Sequence, residues 1–273
     1  MDYDEIRRGV IVAVFADAVL YERLVVKGGN ALRLVHKIGR RTSLDVDFST
    51  PGDLDEEDTR DRLSRALADR FDSAGLKVFD FRLERRPATP RDPRMAGYEA
   101  AFKVIEKAKA GELGGDLQRM RRESATVGPA QQRVFTIEIS SHEFCDGAQE
   151  LELDDFVVRV YTPEMIAVEK YRAICQQHPS YAGRPQKTAR ARDFLDIHSI
   201  VTARGIDLGS EANRRLFRAI FAAKRVPLEL LHEIEGQREF HRGDWPSVQQ
   251  SVTGQIESFD VYFDFALRQI PEL

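Results

Sequence analysis

The chain has 273 residues, 42% of them hydrophobic and 32% charged, with a net charge of −4. That length accommodates one large domain or two modest ones, with a core that needs no disulfide staples. The balance excludes a collagen-like or disordered chain, and it excludes a protein that attracts nucleic acid over its whole surface, so any contact with RNA must use local basic patches.

The N-terminal segment, from Tyr3 to Leu20, carries the apolar run GVIVAVFADAVL, interrupted by Asp17. It is shorter than the roughly 20 apolar residues that span a bilayer and lacks a cleavage pattern, so an amphipathic helix is expected and no membrane partner. A short strand follows at Arg23–Lys27. Gly28 and Gly29 break it, and Asn30–Lys37 reads as a helix capped by Asn30. Ser43–Ser49 is a strand. Asp55 or Asp58 opens a helix that ends at Gly75. Strands are expected at Lys77–Glu84, Tyr98–Ile105, Arg133–Ser140 and Val157–Tyr161, with a proline-rich loop over 85–97. Residues 110–130 mix helical spacing with three glycines and stay unassigned. From Pro163, with Thr162 as its cap, only helices follow, at about 163–177, 188–203, 211–223, 227–235 and 247–269. The chain therefore divides into an α/β part, 1–161, and an all-helical part, 162–273. Cys145 and Cys175 are far apart and in no metal-ligating spacing, which suits a reducing cytoplasm.

The chemistry concentrates in SLDVDF. Alternation along a strand sends Leu44, Val46 and Phe48 to one face and Asp45 and Asp47 to the other. Adjacent carboxylates repel and raise each other's pKa. A divalent cation relieves that repulsion, and Mg²⁺ favours carboxylate oxygens together with substrate phosphates. Taken alone, the pair fits a solvated sheet face better than a metal site. Two further features give it context. Gly28-Gly29, between a strand and a helix, lets the backbone approach a phosphate closely. Glu138, in VFTIEIS, is a charged residue on an otherwise apolar strand, and it makes a third carboxylate if that strand lies beside the Asp45/Asp47 strand.

The ordered elements KGGNALRL, RRTSLDVDF, TPEMIAVEKYRAI and RARDFLDI resemble the AbiEii family of nucleotidyltransferase toxins, within the polymerase-β-like nucleotidyltransferase superfamily. The resemblance spans roughly residues 23–204. It implies an α+β fold, with a polymerase-β-like core built on a mixed sheet and followed by a C-terminal all-helical lobe. It implies that Gly28 and Gly29 shape a phosphate turn, joined by Asn30, where the family usually has Thr or Ser. Arg41 and Ser43 match the residues ahead of the metal strand, and Asp45 and Asp47 match the metal pair. Lys170 matches a lysine that contacts the nucleotide's phosphates. Arg192, Asp193 and Asp196 match an R-D-x-x-D element whose first aspartate is functionally important. Glu138 has no strong motif around it.

The reaction so implied is Mg²⁺-dependent transfer of NMP from an NTP to an RNA 3′ end, that of the tRNA acceptor stem, with release of pyrophosphate. Arginines crowd three segments that could track a phosphate backbone, at 82–94, 119–122 and 184–192, although each could equally pair with surface acids. The resemblance also implies an antitoxin encoded nearby. Competing readings are a small-molecule or protein acceptor, and a non-catalytic nucleotide- or RNA-binding protein.

Overall fold

The computed structural model describes residues 3–38, 45–90, 92–126 and 131–273. Arg41, Ser43, Leu44 and Arg91 lie outside the described residues. The first helical segment is two helices: α1 (Tyr3–Ala16) and α2 (Ala18–Arg23). Asp17 separates them because its carboxylate accepts from the Val19 and Leu20 amides, which makes it an N-cap within the expected helix. Strand β1 (Val25–Lys27) leads into α3 (Gly28–Asn30), which continues as a π-helical turn over Ala31–Val35. Strand β2 is Val46–Ser49. Helix α4 (Glu56–Ser73) starts at Asp55, which accepts from the Asp58 amide at 2.9 Å.

Strands β3 (Leu76–Arg86) and β4 (Gly97–Glu106) are longer than their alternation predicts. The unassigned stretch contains two short helices, α5 (Lys107–Glu112) and α6 (Leu117–Glu123). Strand β5 is Phe135–Ser140. Strand β6 (Gln149–Leu153) was not expected, because QELEL has too few apolar residues to read as a strand. It pairs with β7 (Phe156–Val160) through a tight turn in which Asp154 and Asp155 both take positive φ, the geometry of a two-residue hairpin.

The sheet is mixed, in the order β3-β4-β5-β2-β1-β7-β6. The central strand β2 runs parallel to β5 and antiparallel to β1. After β7 the chain is helical. Helix α7 (Pro163–Cys175) is capped by Thr162, as expected. It is followed by α8 (Ala191–Arg204), α9 (Glu211–Ala223), α10 (Arg238–Arg242), α11 (Trp245–Ser251) and α12 (Phe259–Arg268). The helix expected at 227–235 is a 3₁₀ turn, Leu228–Leu231, and the one expected at 247–269 breaks into α11 and α12 around Gly254, which has positive φ.

One apolar cluster runs from Val10 and Val14 of α1, through Val26, Phe48, Ile137 and Val158 of the sheet, to Ile166, Phe194 and Phe263 of the helices. Both cysteines are buried within it and unbonded. Among the described residues, no helix is long and apolar enough to cross a membrane.

Candidate functional site

The alternation along β2 places Val46 and Phe48 in the core, 2% and 0% exposed, and leaves Asp45 and Asp47 on the opposite face. Strand β5 lies directly beside β2, and Glu138 is the register partner of Asp47. The three carboxylates expected from the sequence therefore share one face. The same register continues in both directions: Glu99 lies opposite Glu138, Glu84 opposite Glu99, and Lys27 opposite Asp47. A row of four acids ending in a lysine thus crosses five strands. Like charges directly opposite one another are destabilising in a purely structural sheet. Arg86 offsets the outer pair, at 2.7 Å from Glu84 and 3.6 Å from Glu99.

The inner acids carry the cost in their acidities. Loss of water, and then the Glu138 charge, push Asp47 up to about 7. Loss of water also raises Asp45; Arg192 opposes that rise and Glu99 adds to it. Partial loss of water in the cleft, followed by the Asp45 charge, raises Glu138. Gly28 takes φ +70°, and a Cβ there would stand 2.9 Å from Asp47 Cγ. The glycine is thus required twice, by its backbone and by the carboxylate that crosses above it. Asn30 is not the helix cap; Lys27 occupies that position, because the helix begins at Gly28. Asn30 is fully buried, and its amide donates to the Asp45 carbonyl at 2.6 Å, which fixes the start of the acidic strand.

Beneath the row lies a buried ionic network. Lys27 Nζ is 3.0 Å from Glu169 and 3.5 Å from Glu143. Arg172 is 3.1 Å from Glu143 and 3.2 Å from Glu169. Lys224 comes within 3.6 Å of Glu143 and donates to the Arg94 and Ser141 carbonyls. Burial lowers Lys27, but Glu143 and Glu169 outweigh it and the ammonium ends above its ordinary value. Lys224 is drawn down to about 8 by burial, which Glu143 only partly opposes. In sequence Glu169 reads as an unremarkable neighbour of Lys170. In the fold it belongs to this network.

Helices α7 and α8 form the opposite wall. Lys170 is 6% exposed and donates to Asp193 at 3.1 Å and to Asp196 at 2.6 Å. Asp193 also accepts from Arg190. Burial alone would raise Asp193, but Arg190 and Lys170 hold it far below the usual carboxylate range. The E-K and R-D-x-x-D elements are thus one buried cluster joining two helices. Lys170, Asp193 and Arg192 line the cleft, whereas Asp196 sits behind Lys170 and does not. The cleft has a volume of about 440 Å³ and is also lined by Gly28, Gly29, Asp45, Asp47, Glu99 and Glu138. Of the three arginine segments, Arg86 from the first and Arg184, Arg190 and Arg192 from the third face it. The second segment does not, and its Arg121 is bound to Asp80 at 2.6 Å.

The donor set suits a hard divalent cation, since it consists of carboxylate oxygens whose mutual repulsion a cation would relieve. Among the described residues, no three or more ligands close into a preformed cage. Mg²⁺ takes one or two carboxylates and completes its shell with water and substrate phosphates. Gly28→Ala tests the crowding. The positive φ costs about 1–2 kcal/mol in any residue with a Cβ. The melting temperature is expected to fall by roughly 3–6 °C. Transfer activity should fall much further, because the methyl group displaces Asp47. A variant that melts lower but turns over normally would show that Asp47 need not occupy this position.

Comparisons with known proteins bear on the family and the fold. The family profile described as nucleotidyl transferase AbiEii toxin, type IV TA system, matches residues 10–267. No curated protein sequence matches the chain significantly. Among solved structures, JHP933 from Helicobacter pylori aligns at a TM-score of 0.51 and 14% identity, over 98% of this chain and 88% of that one. A second H. pylori protein, assigned as a nucleotidyltransferase, aligns at 0.50 and 14% identity, over 98% and 91%. MenT4, a nucleotidyltransferase toxin from Mycobacterium tuberculosis, aligns at 0.46 and 18% identity, over 85% and 64%. At such identities a structural likeness shows the fold alone, here an α+β nucleotidyltransferase fold. The family itself is shown by the profile that matches nearly the whole chain: the protein belongs to the AbiEii family of nucleotidyltransferase toxins of type IV toxin–antitoxin systems, and it is a nucleotidyltransferase.

Proposed function

We propose that the protein transfers a nucleoside monophosphate from a nucleoside triphosphate to the 3′ end of an RNA, that of the tRNA acceptor stem, and that it acts in the cytoplasm. The observation that carries this reading is the Asp47–Glu138 register pair, flanked by Asp45 and set against the Gly28-Gly29 turn in one cleft. The triphosphate lies over the glycine turn, with Lys170 and Arg192 on the facing wall. Asp193 and Asp196 act through Lys170, which they orient, and Asn30 acts through the Asp45 backbone. By resemblance, Arg41 and Ser43 complete the phosphate site. Asp45, Asp47 and Glu138 are the residues that would hold Mg²⁺, which supplies neutralisation of phosphate charge. The acceptor hydroxyl oxygen forms a bond to the α-phosphorus, the α–β phosphoanhydride bond breaks and pyrophosphate departs. Glu138, the third carboxylate of this face, receives the hydroxyl proton. The division at residue 161 is part of the same proposal: the first part carries the acidic row, and the second carries Lys170, Arg184, Arg190 and Arg192 on the facing wall.

Family membership implies a cognate antitoxin and a nucleotide substrate. We place that antitoxin in a neighbouring gene. The acidic row through Glu99 favours one second reading, a cationic small-molecule acceptor. The test is a transfer assay with Mg²⁺, total tRNA and each labelled triphosphate in turn, beside Asp47→Ala. Label should appear on tRNA with the wild type alone. Label on no RNA with any triphosphate would remove the RNA reading and favour the second one. Label that survives Asp47→Ala would remove the assignment of the metal strand.

A further inference from the structure

Between α7 and α8 the chain runs through residues 176–190 without regular secondary structure. Irregular segments of that length inside a domain usually serve a function. This one is braced at every stage. Lys187 Nζ donates to the Gln176 carbonyl at 3.1 Å and to the Tyr181 carbonyl at 2.6 Å, which closes the loop on itself. The Tyr181 hydroxyl donates to the Lys224 carbonyl at 3.1 Å, which ties the loop to the end of α9. The Thr188 amide is held by Gln177, and the Arg190 amide by His241. Gly183 packs against the phenol end of Tyr181, where a Cβ would stand 2.6 Å from the ring's Cζ. The residue that follows, Arg184, lines the cleft.

The cations of the helical wall differ in how far they are already matched. Lys170 is held by two buried aspartates, and Arg190 is paired with Asp193. Arg184 has no ion-pair partner among the described residues, yet it stands near Arg190 and Arg192 and across from Glu138. Loss of water, and then the neighbouring Arg190 charge, draw its guanidinium below its ordinary value. Gathering guanidinium groups against one another is unfavourable until a dense anion arrives. Of the ligands this cleft takes, the triphosphate concentrates the most negative charge in the smallest volume, and an Arg fork is shaped to grip it.

We infer that Arg184 is a ligand of the triphosphate's β- and γ-phosphates, and hence of the departing pyrophosphate, and that the loop braced on Tyr181 and Gly183 exists to present it. This rests on the triphosphate site proposed above. It adds a second phosphate-binding element on the helical wall, opposite the glycine turn.

The experiment compares the wild type with Arg184→Ala, Arg184→Lys and Gly183→Ala. Three quantities are measured: affinity for each Mg²⁺–nucleoside triphosphate, inhibition by inorganic pyrophosphate, and affinity for total tRNA. Arg184 is exposed to the cleft, so its substitutions should leave the melting temperature unchanged. Arg184→Ala should weaken triphosphate and pyrophosphate binding roughly ten- to hundredfold, the range for a lost hydrogen bond to a charged group. Arg184→Lys should recover part of that loss. Gly183→Ala, which keeps the charge but moves it, should weaken both ligands in the same direction, and tRNA affinity should stay within about twofold throughout. Triphosphate affinity unchanged in Arg184→Ala, or a loss confined to tRNA, overturns the inference while leaving the function intact. A wild-type protein that binds no triphosphate overturns the function and this inference together.

Discussion

Asp47→Asn is expected to abolish transfer and, in metal-free buffer at pH 8, to raise the melting temperature. The two effects have one origin. Asp47 is half-buried beside Glu138, and its carboxyl is pushed from its ordinary 3.8 up to about 7 by burial and then by that neighbour. Because the folded pKa is the higher one, the folded chain retains a proton that the unfolded chain has released between these two values. Stability from this group is therefore present below pH 4, declines as the pH rises, and is gone above pH 7. Asn carries no charge and avoids the loss. The gain should be of order 2–3 kcal/mol at pH 8, or about 5 °C for a chain of this length. A divalent cation changes the sign of the comparison. Mg²⁺ should stabilise the wild type and leave Asp47→Asn nearly unmoved. Melting curves between pH 5 and 8, with and without Mg²⁺, check both statements. An Asp47→Asn protein that melts below the wild type at pH 8 would mean the carboxylate is already compensated in the free protein.

The second large effect lies in the buried floor of the cleft. Arg172 is 3% exposed and bridges Glu143 and Glu169, which it shares with Lys27. Replacing it by Met keeps much of the volume but leaves the two acids short of a cation. Breaking a buried pair from one side costs about 3–5 kcal/mol, because a charge is left without its counterion. The melting temperature of Arg172→Met should therefore fall by roughly 10 °C. Adding Glu143→Gln should restore part of the loss, with a coupling of about 1–3 kcal/mol in a double-mutant cycle. The exposed Arg215–Glu211 pair on α9, at 3.0 Å, offers the contrast, since breaking it should cost less than about 1 kcal/mol. Equal losses at the two places would mean that water reaches the inner network.

The parts of this site that could be read in the sequence are those governed by local rules. Strand alternation places Asp45 and Asp47 opposite Val46 and Phe48, and the glycine pair marks the turn where φ is positive. The Thr162–Pro163 cap gives the start of α7 directly. Helix α9 could be read to both ends because its apolar face, Phe217, Ile220 and Phe221, is regular and Ser210 caps it. What escaped reading depends on register between distant strands. Glu99 is an ordinary polar position of β4 until β4 is paired with β5. Lys27, Glu143 and Lys224 come from three separate segments and acquire meaning only where those segments meet. The break of α1 could have been read, because Asp17 is a good N-cap; the longer apolar run around it obscured the signal.

The buried network also spans the order of synthesis. The sheet is complete at Val160, but the cations that neutralise Glu143 include Arg172 and Lys224. A chain emerging from its N-terminus therefore completes the sheet with Lys27 as the one cation paired with Glu143 among the described residues, and Glu143 gains its last partner only when four-fifths of the protein has been made. A fragment ending in the sheet holds the acidic row over a partly compensated Glu143 and lacks the facing helical wall altogether. A copy terminated before α7 therefore lacks one side of the candidate site, including Lys170, Arg184 and Arg192.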